Sequence, residues 1–307
     1  MRYLGAMTAL LLAGFLAVLV PQDPPVSEPA VAPSTAPATE SEDDAKDALE
    51  EQRTWKVGDV ERMALVHVPP KAKDAPVPLV FVFHGHGGSM RNAARTFRIH
   101  EHWPEALVVY PQGLNTPGQI TDPEGKRTGW QKEMGDQGDR DLAFFDAVLA
   151  DLKQQYRVDP RRVHATGHSN GGGFTYLLWA ARGDVFASFA PSGAAFNKSL
   201  RGATLVPRPV FHLSGRTDPL VKYAWQALTV AELVKRGECS APEAWKAHEG
   251  CTIQRSSKGA DVVTLVHEGG HRFLPTWGAL IVEFFRDTPR PEPVEPVKKV
   301  EPATTGK

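Results

Sequence analysis

In this 307-residue chain the residues best placed to do chemistry together are a serine, an aspartate and a histidine, each following an apolar run. Ser169 stands at the centre of Gly167-His168-Ser169-Asn170-Gly171, with the apolar segment Arg162 to Thr166 before it and a helix-like run, Gly172 to Ala181, after it. A G-x-S-x-G pentapeptide between a strand and a helix is a nucleophile elbow. Its turn is tight enough that glycines are needed two residues either side of the serine to keep Cβ atoms out of the way. Such a turn lifts the hydroxyl above the sheet. It also sets the Asn170 N–H at a helix N-terminus, where backbone donors and the helix dipole favour a developing oxyanion.

A serine hydroxyl is a poor nucleophile until a neutral imidazole takes its proton, and the imidazole needs a carboxylate to fix its tautomer. Asp218 fits the acid, since it follows Val210 to Leu213 and the turn Ser214-Gly215-Arg216-Thr217. His271 fits the base, just past Asp261 to Val266 in the flexible turn Glu268-Gly269-Gly270. The rivals are less well placed. Asp184 comes too soon after the elbow helix, Asp261 lies at the wrong end of its strand, and Asp287 falls after the last helix. His267 should point along its strand, His164 lies inside one, and His248 reads as a surface residue in a Cys-bounded loop. A second oxyanion donor is expected from the turn His84-Gly85-His86-Gly87-Gly88-Ser89, with the His86 N–H first and Gly87 the near alternative. Trp130 stands near the end of a long aperiodic stretch, Pro111 to Arg140. It could stack on an aromatic acyl group or a sugar, or it could anchor the loop, and the sequence leaves both readings open. Asp139-Arg140-Asp141 reads as charge and capping at a helix N-terminus.

The elements that must position these residues alternate between apolar β-rich runs and helical patterns, the mark of a mostly parallel sheet with helices on both faces. Inner strands are expected at Leu79–Phe83, Ala106–Tyr110, Arg162–Thr166, Ala187–Ala190, Val210–Ser214 and Asp261–Val266, with antiparallel edge strands around Arg62–Val68. Helices are expected at Asp141–Gln155, Ala224–Arg236 and Pro275–Arg286. This is the α/β-hydrolase layout. The folded domain should span residues 52–287. Before it come an apolar signal peptide or membrane anchor (1–20) and a Pro-rich, acidic, disordered linker (21–51), and a Pro-rich tail (288–307) follows.

Composition narrows the function. Lys+Arg number 35 against Asp+Glu 36, a net charge of −1, and no basic stripe argues for nucleic acid. The eleven His include no H-E-x-x-H and the two Cys no C-x-x-C, so neither a metal nor a cofactor is expected. In an exported chain, Cys239 and Cys251 are expected to pair as a disulfide.

Six motifs occur in order over roughly residues 60 to 286. They are His84-Gly85 with its glycines, Tyr110-Pro111-Gln112-Gly113, Val158-Asp159-Pro160-Arg161-Arg162-Val163, Gly167-His168-Ser169-Asn170-Gly171-Gly172, Thr217-Asp218-Pro219 and Gly269-Gly270-His271. Together they resemble the polyhydroxybutyrate depolymerase and feruloyl esterase family of secreted serine esterases. The resemblance implies Ser169 as nucleophile, Asp218 as acid, His271 as base, and the backbone N–H groups of His86 and Asn170 as the oxyanion hole. It also implies an exported, monomeric enzyme that cleaves small or polysaccharide-linked carboxylic esters. The chain departs from the family in two places. His86 stands where the family often has Cys, and Arg272-Phe273-Leu274-Pro275 stands where it often reads Thr-Trp-Pro-Gly, with an aromatic delayed to Trp277. The substrate pocket is expected from the 111–140 loop and the turns bearing Asp218 and His271. There Trp130, Tyr223, Trp225, Phe273 and Trp277 would offer flat faces to feruloyl or acetyl esters ahead of polyhydroxyalkanoate. No extended apolar lid helix is expected between the elbow and Asp218. The competing readings are a non-catalytic hydrolase-like binding domain and a serine peptidase of the same fold, which usually carries a large extra domain.

Overall fold

The structure is a computed structural model that describes residues 50–118 and 121–291. The expected leader or anchor, most of the linker and most of the Pro-rich tail lie outside the described residues. Two residues assigned to the linker do not. Strand β1 (Glu50–Val57) begins inside the acidic run and pairs along its whole length with β2 (Val60–His67), around a two-residue turn in which Gly58 takes φ +60°. The acidic composition hid this strand, because backbone pairing to β2 does not depend on the side chains of Glu50 and Glu51.

Ten strands form one sheet, in the order β1-β2-β4-β3-β7-β8-β9-β12-β11-β10. Its centre is a parallel block of β4 (Leu107–Pro111), β3 (Val77–Phe83), β7 (Val158–His168), β8 (Ser188–Ser192), β9 (Val210–Gly215) and β12 (Val262–His267). Antiparallel strands close both ends, with β2 against β4 and β11 (Cys251–Gln254) and β10 (Glu243–Ala244) beyond β12. A two-stranded ribbon, β5 (Leu114–Asn115) with β6 (Thr128–Gly129), stands apart within the long loop.

The sequence of β3, VPLVFVF, is buried at every position, as a strand covered on both faces must be. Its side chains alternate between two apolar layers. Leu79, Phe81 and Phe83 pack with α3 (Arg140–Gln155), α4 (Asn170–Arg182) and α6 (Tyr223–Gly237), while Val80 and Val82 pack with α1 (Met90–Phe97), α2 (Ile99–His102) and α7 (Trp277–Asp287). A five-residue helix, α5 (Lys198–Gly202), follows β8. The expected helices and inner strands match these elements to within a few residues. Helix α1 escaped the sequence reading because it is mostly polar, yet Met90, Ala93, Ala94 and Phe97 form a buried i, i+3, i+4, i+7 stripe. The Ser89 hydroxyl caps it by accepting the Asn92 N–H at 3.2 Å.

Two sequence expectations change here. Asp141 does more than charge a helix N-terminus. It is buried in an ion pair with Arg62 of β2 at 2.8 Å and also accepts the Gln131 N–H at 2.8 Å, so it ties the end of the long loop to β2 of the sheet. Burial pulls the Arg62 guanidinium below its ordinary range despite the neighbouring carboxylate. The second change concerns the cysteines, which form no disulfide: both are free thiols. Cys251 is buried in the layer under α7, whereas Cys239 packs against the layer under α6, so the sheet separates them. Burial raises the Cys251 thiol to about 11 and makes it a poor nucleophile for disulfide exchange.

Free-thiol titration of the denatured, unreduced protein should therefore find two thiols, and a count of zero would contradict the arrangement. Asp141→Ala, which leaves Arg62 buried and unpaired, should lower the unfolding free energy by about 3–5 kcal/mol. A denaturant midpoint unchanged from wild type would show that the pair is not buried in solution.

Candidate active site

Strand β7 ends at His168 and α4 starts at Asn170, so Ser169 alone makes the turn, at φ 57° and ψ −120°. An L-residue keeps such a conformation only where its surroundings over-determine it. Here the Ser169 N–H donates to Ser192 O at 2.9 Å and the Ser169 carbonyl accepts the Gly173 N–H at 2.9 Å. The flanking glycines are needed for space. A Cβ on Gly167 would stand 2.5 Å from the Gly171 carbonyl carbon, and one on Gly171 would collide with the Phe83 carbonyl at the end of β3.

The structure brings the three expected side chains together. His271 Nε2 lies 2.8 Å from Ser169 Oγ, and His271 Nδ1 lies 2.7 Å from Asp218 Oδ2. Asp218 is buried. Its Oδ1 accepts the N–H groups of Leu220 and Val221, each at 2.9 Å, and its Oδ2 also accepts Gln226 Nε2 at 3.2 Å. Behind Gln226 the chain of contacts continues inward. Gln226 Oε1 is 3.3 Å from His212 Nε2, and His212 Nδ1 is 2.6 Å from the Tyr176 hydroxyl. With Nε2–H donating to Gln226, His212 Nδ1 is left to accept the Tyr176 O–H. Burial holds this imidazole neutral, its pKa pushed down to about 4, and raises that of Tyr176. The sequence reading missed these three residues, although His212 inside the apolar run Val210–Leu213 was a visible signal.

The rival histidines have other partners. His164 is buried between Ser188 Oγ, 2.9 Å away, and the ring of Phe285. His248 pairs with Glu283 at 2.8 Å, and His267 Nδ1 accepts the Gly269 N–H at 3.0 Å, shaping the turn that carries His271.

In the turn after β3, the Gly87 N–H donates to Thr128 O at 2.7 Å and so is already engaged. His84 Nδ1–H donates to Gly85 O at 2.7 Å, and its Nε2 accepts the Gly113 N–H at 3.0 Å; burial pushes its pKa down to about 4. The His86 imidazole reaches Asp122 at 3.2 Å, and the Asn170 side chain pairs with both backbone polar groups of Trp130 at 2.7 and 3.0 Å. The long loop is thus strapped to the elbow and to the turn after β3.

That strapping decides the aromatic residues. Trp130, 0% exposed, stacks on Phe174 at 5.3 Å and donates its indole N–H to His84 O at 2.9 Å. It anchors the loop and cannot touch substrate. Trp277, 4% exposed, is the first residue of α7 and packs on Phe273 and His267 away from the cavity. Phe273 in turn lies 4.1 Å from Phe97, and Tyr223 lies under Arg216. Of the five aromatics expected in the pocket only Trp225, 44% exposed, borders the cavity of about 680 Å³ in which Ser169, His271, His86 and Asn170 meet. The long loop forms one wall. Another comes from the segment after β8, where Phe196 and Leu200 of the short helix α5 were not foreseen. Among the described residues no three His, Cys, Asp or Glu side chains gather as a metal site, and no helix is long and apolar enough to cross a membrane.

A mostly parallel sheet with a serine elbow at the end of a central strand is the α/β-hydrolase fold, and solved structures agree. An acetyl xylan esterase from Aspergillus awamori superposes with a TM-score of 0.57 at 14% identity, over 77% of this chain and 98% of its own. No family model matches the chain. Among curated proteins it is similar to a probable feruloyl esterase C of Aspergillus flavus, 24% identical over 208 residues, which is 65% of this chain and 72% of that protein. It is also similar to a bifunctional acetylxylan esterase/xylanase of Neocallimastix patriciarum, 29% identical over 167 residues and 52% of this chain; the match spans only 22% of that longer protein. The fold is that of the α/β-hydrolases, and in sequence the chain is similar to feruloyl and acetylxylan esterases.

The buried histidines set an acid limit. His84, His164 and His212 are held neutral in the fold, with pKa values near 4, 3 and 4, but titrate near 6.5 once unfolded. The unfolded chain therefore binds more protons below pH 6.5. The stabilisation these residues contribute is complete above that pH and is lost as the pH falls towards 4. Denaturant midpoints should drop steeply between pH 7 and pH 5, and a flat profile there would contradict the burial of these rings.

Proposed function

We propose that this carboxylic ester hydrolase works through an acyl-serine intermediate on Ser169, and that it is exported and acts on short or aromatic acyl esters, such as feruloyl or acetyl esters of polysaccharide. The reading is carried by one observation, the continuous chain Ser169 Oγ, His271, Asp218, at 2.8 and 2.7 Å, with Ser169 and His271 in the wall of a cavity. His271 Nε2 takes the hydroxyl proton as Oγ attacks the ester carbonyl, and Asp218 keeps the other ring proton on Nδ1 and stabilises the imidazolium. The oxyanion falls to the N–H groups of His86 and Asn170. Collapse of the tetrahedral species expels the alcohol with the proton held on His271, and water, deprotonated by the same ring, then releases the acid. Gln226, held by His212 and Tyr176, fixes the second donor to Asp218 Oδ2 and so limits the carboxylate to one orientation. For the substrate class, support comes from the names of the relatives and from the faces of Phe196 and Trp225 at the cavity. For export, it comes from the apolar run Leu4 to Val20.

A serine-reactive aryl phosphonate should label wild-type protein on Ser169 and fail to label Ser169→Ala, with the site located by mass spectrometry. Ser169→Ala, His271→Ala and Asp218→Asn should each lower kcat by roughly 10³ to 10⁶, with losses far from additive because the three act as one unit. Turnover near wild type in Asp218→Asn would overturn the acid assignment. A wild-type protein that neither labels nor turns over feruloyl or acetyl esters would be a binding domain.

A further inference from the structure

The charged residues of the cavity are all of one sign. Arg127, Lys132 and Arg201 line it, and no aspartate or glutamate does. None of the three makes an ion pair or a side-chain hydrogen bond among the described residues. Five arginines elsewhere pair closely with carboxylates, Arg62 with Asp141, Arg162 with Asp159, Arg182 with Asp146, Arg216 with Glu268 and Arg236 with Glu232. The chain as a whole is balanced, 35 basic residues against 36 acidic, so three unpaired cations in one cavity are a local segregation rather than a reflection of composition. Two carboxylates nearby are already engaged. Glu232, which feels Arg201, is bonded to Arg236 at 2.8 Å, and Asp136 accepts the Lys132 backbone N–H at 3.1 Å. Lys132 is half-buried, and the loss of water lowers its pKa even against the pull of Asp136 and Glu133. A cation drawn out of water without a contact partner is destabilising unless something arrives to pair with it.

We infer that the substrate is an ester carrying a carboxylate remote from the bond that is cut, and that Arg127, Lys132 and Arg201 bind that carboxylate. The inference rests on the reading of Ser169 as nucleophile and deepens it. Guanidinium groups take a carboxylate through two parallel N–H bonds, and a one-signed cleft concentrates an anionic substrate before contact. The apolar faces of Phe196, Leu200 and Val221 in the same cavity suit the carbon skeleton between the two ends. The carboxylate could sit on the acyl side, as in a half-ester of a dicarboxylic acid, or on the alcohol side, as in an acylated uronic acid.

Two matched pairs of substrates separate these sources with the full-length protein. For the acyl side, the 4-nitrophenyl ester of 4-carboxybenzoic acid is compared with that of 4-methylbenzoic acid; for the alcohol side, acetylated glucuronic acid is compared with acetylated glucose. In one pair the anionic member should have a kcat/KM about tenfold or more above its neutral partner at low salt, as a charge-assisted contact provides. The ratio should shrink as sodium chloride is added. It should fall to near one in the triple variant Arg127→Gln/Lys132→Gln/Arg201→Gln, and if that variant does not fold, the exposed Arg201→Gln alone should lower it. Equal kcat/KM within both pairs, with the neutral members hydrolysed, would overturn the inference and leave the esterase reading standing. A preference that neither salt nor the substitutions reduce would overturn it as well. If no member of either pair is hydrolysed and Ser169 takes no phosphonate, the nucleophile reading fails and this inference falls with it.

Discussion

The strained conformation of Ser169 is the constraint on which the rest of the structure depends. A serine at φ 57° and ψ −120° costs on the order of 1–3 kcal/mol, and the surrounding strands must hold it there. β7 carries the serine, its neighbour β8 supplies the Ser192 carbonyl that accepts the Ser169 N–H, and its other neighbour β3 ends at the Phe83 carbonyl against which Gly171 is packed. Only a sheet with three parallel strand ends side by side presents those carbonyls together. The parallel block and its two apolar layers are therefore what place one hydroxyl.

Two buried polar networks extend that control to either side of the serine. On one side Tyr176, His212 and Gln226 run in from α4, β9 and α6 to Asp218. On the other, Arg62, Asp141 and Gln131 join β2 to the end of the long loop. Burying such groups is costly unless their hydrogen bonds are made, and once made they select a single arrangement of the elements they join. Here the first network fixes a carboxylate and the second fixes a wall of the cavity. The Trp130 indole adds a third tie, between the loop and the His84 carbonyl in the turn after β3.

The cavity that results is less aromatic and more cationic than the composition of its loops suggests. Trp130 and Trp277 are core residues, and the space beside Ser169 is left to Phe196, Leu200, Trp225 and three cations that are unpaired among the described residues. An indole ring buries a large apolar area, and a loop of thirty residues with few other apolar side chains needs such an anchor more than it can spare one for ligand.

The sequence alone determined the features written in local order. The elbow was legible because a tight strand-to-helix turn demands glycine at fixed offsets. The inner strands were legible because doubly covered strands read as continuous apolar runs. Asp218 and His271 were legible because each follows such a run at a turn. Tertiary structure decided whatever depends on which face or layer a side chain enters. It separated Cys239 from Cys251 by a sheet, turned Trp130 and Trp277 inward, drew Gln226 and His212 behind Asp218, and gathered Arg127, Lys132 and Arg201 from two distant segments around one space. Spacing along a chain carries information about turns and periodicity. Proximity between residues seventy-four positions apart, as Arg127 and Arg201 are, is set only when the layers pack.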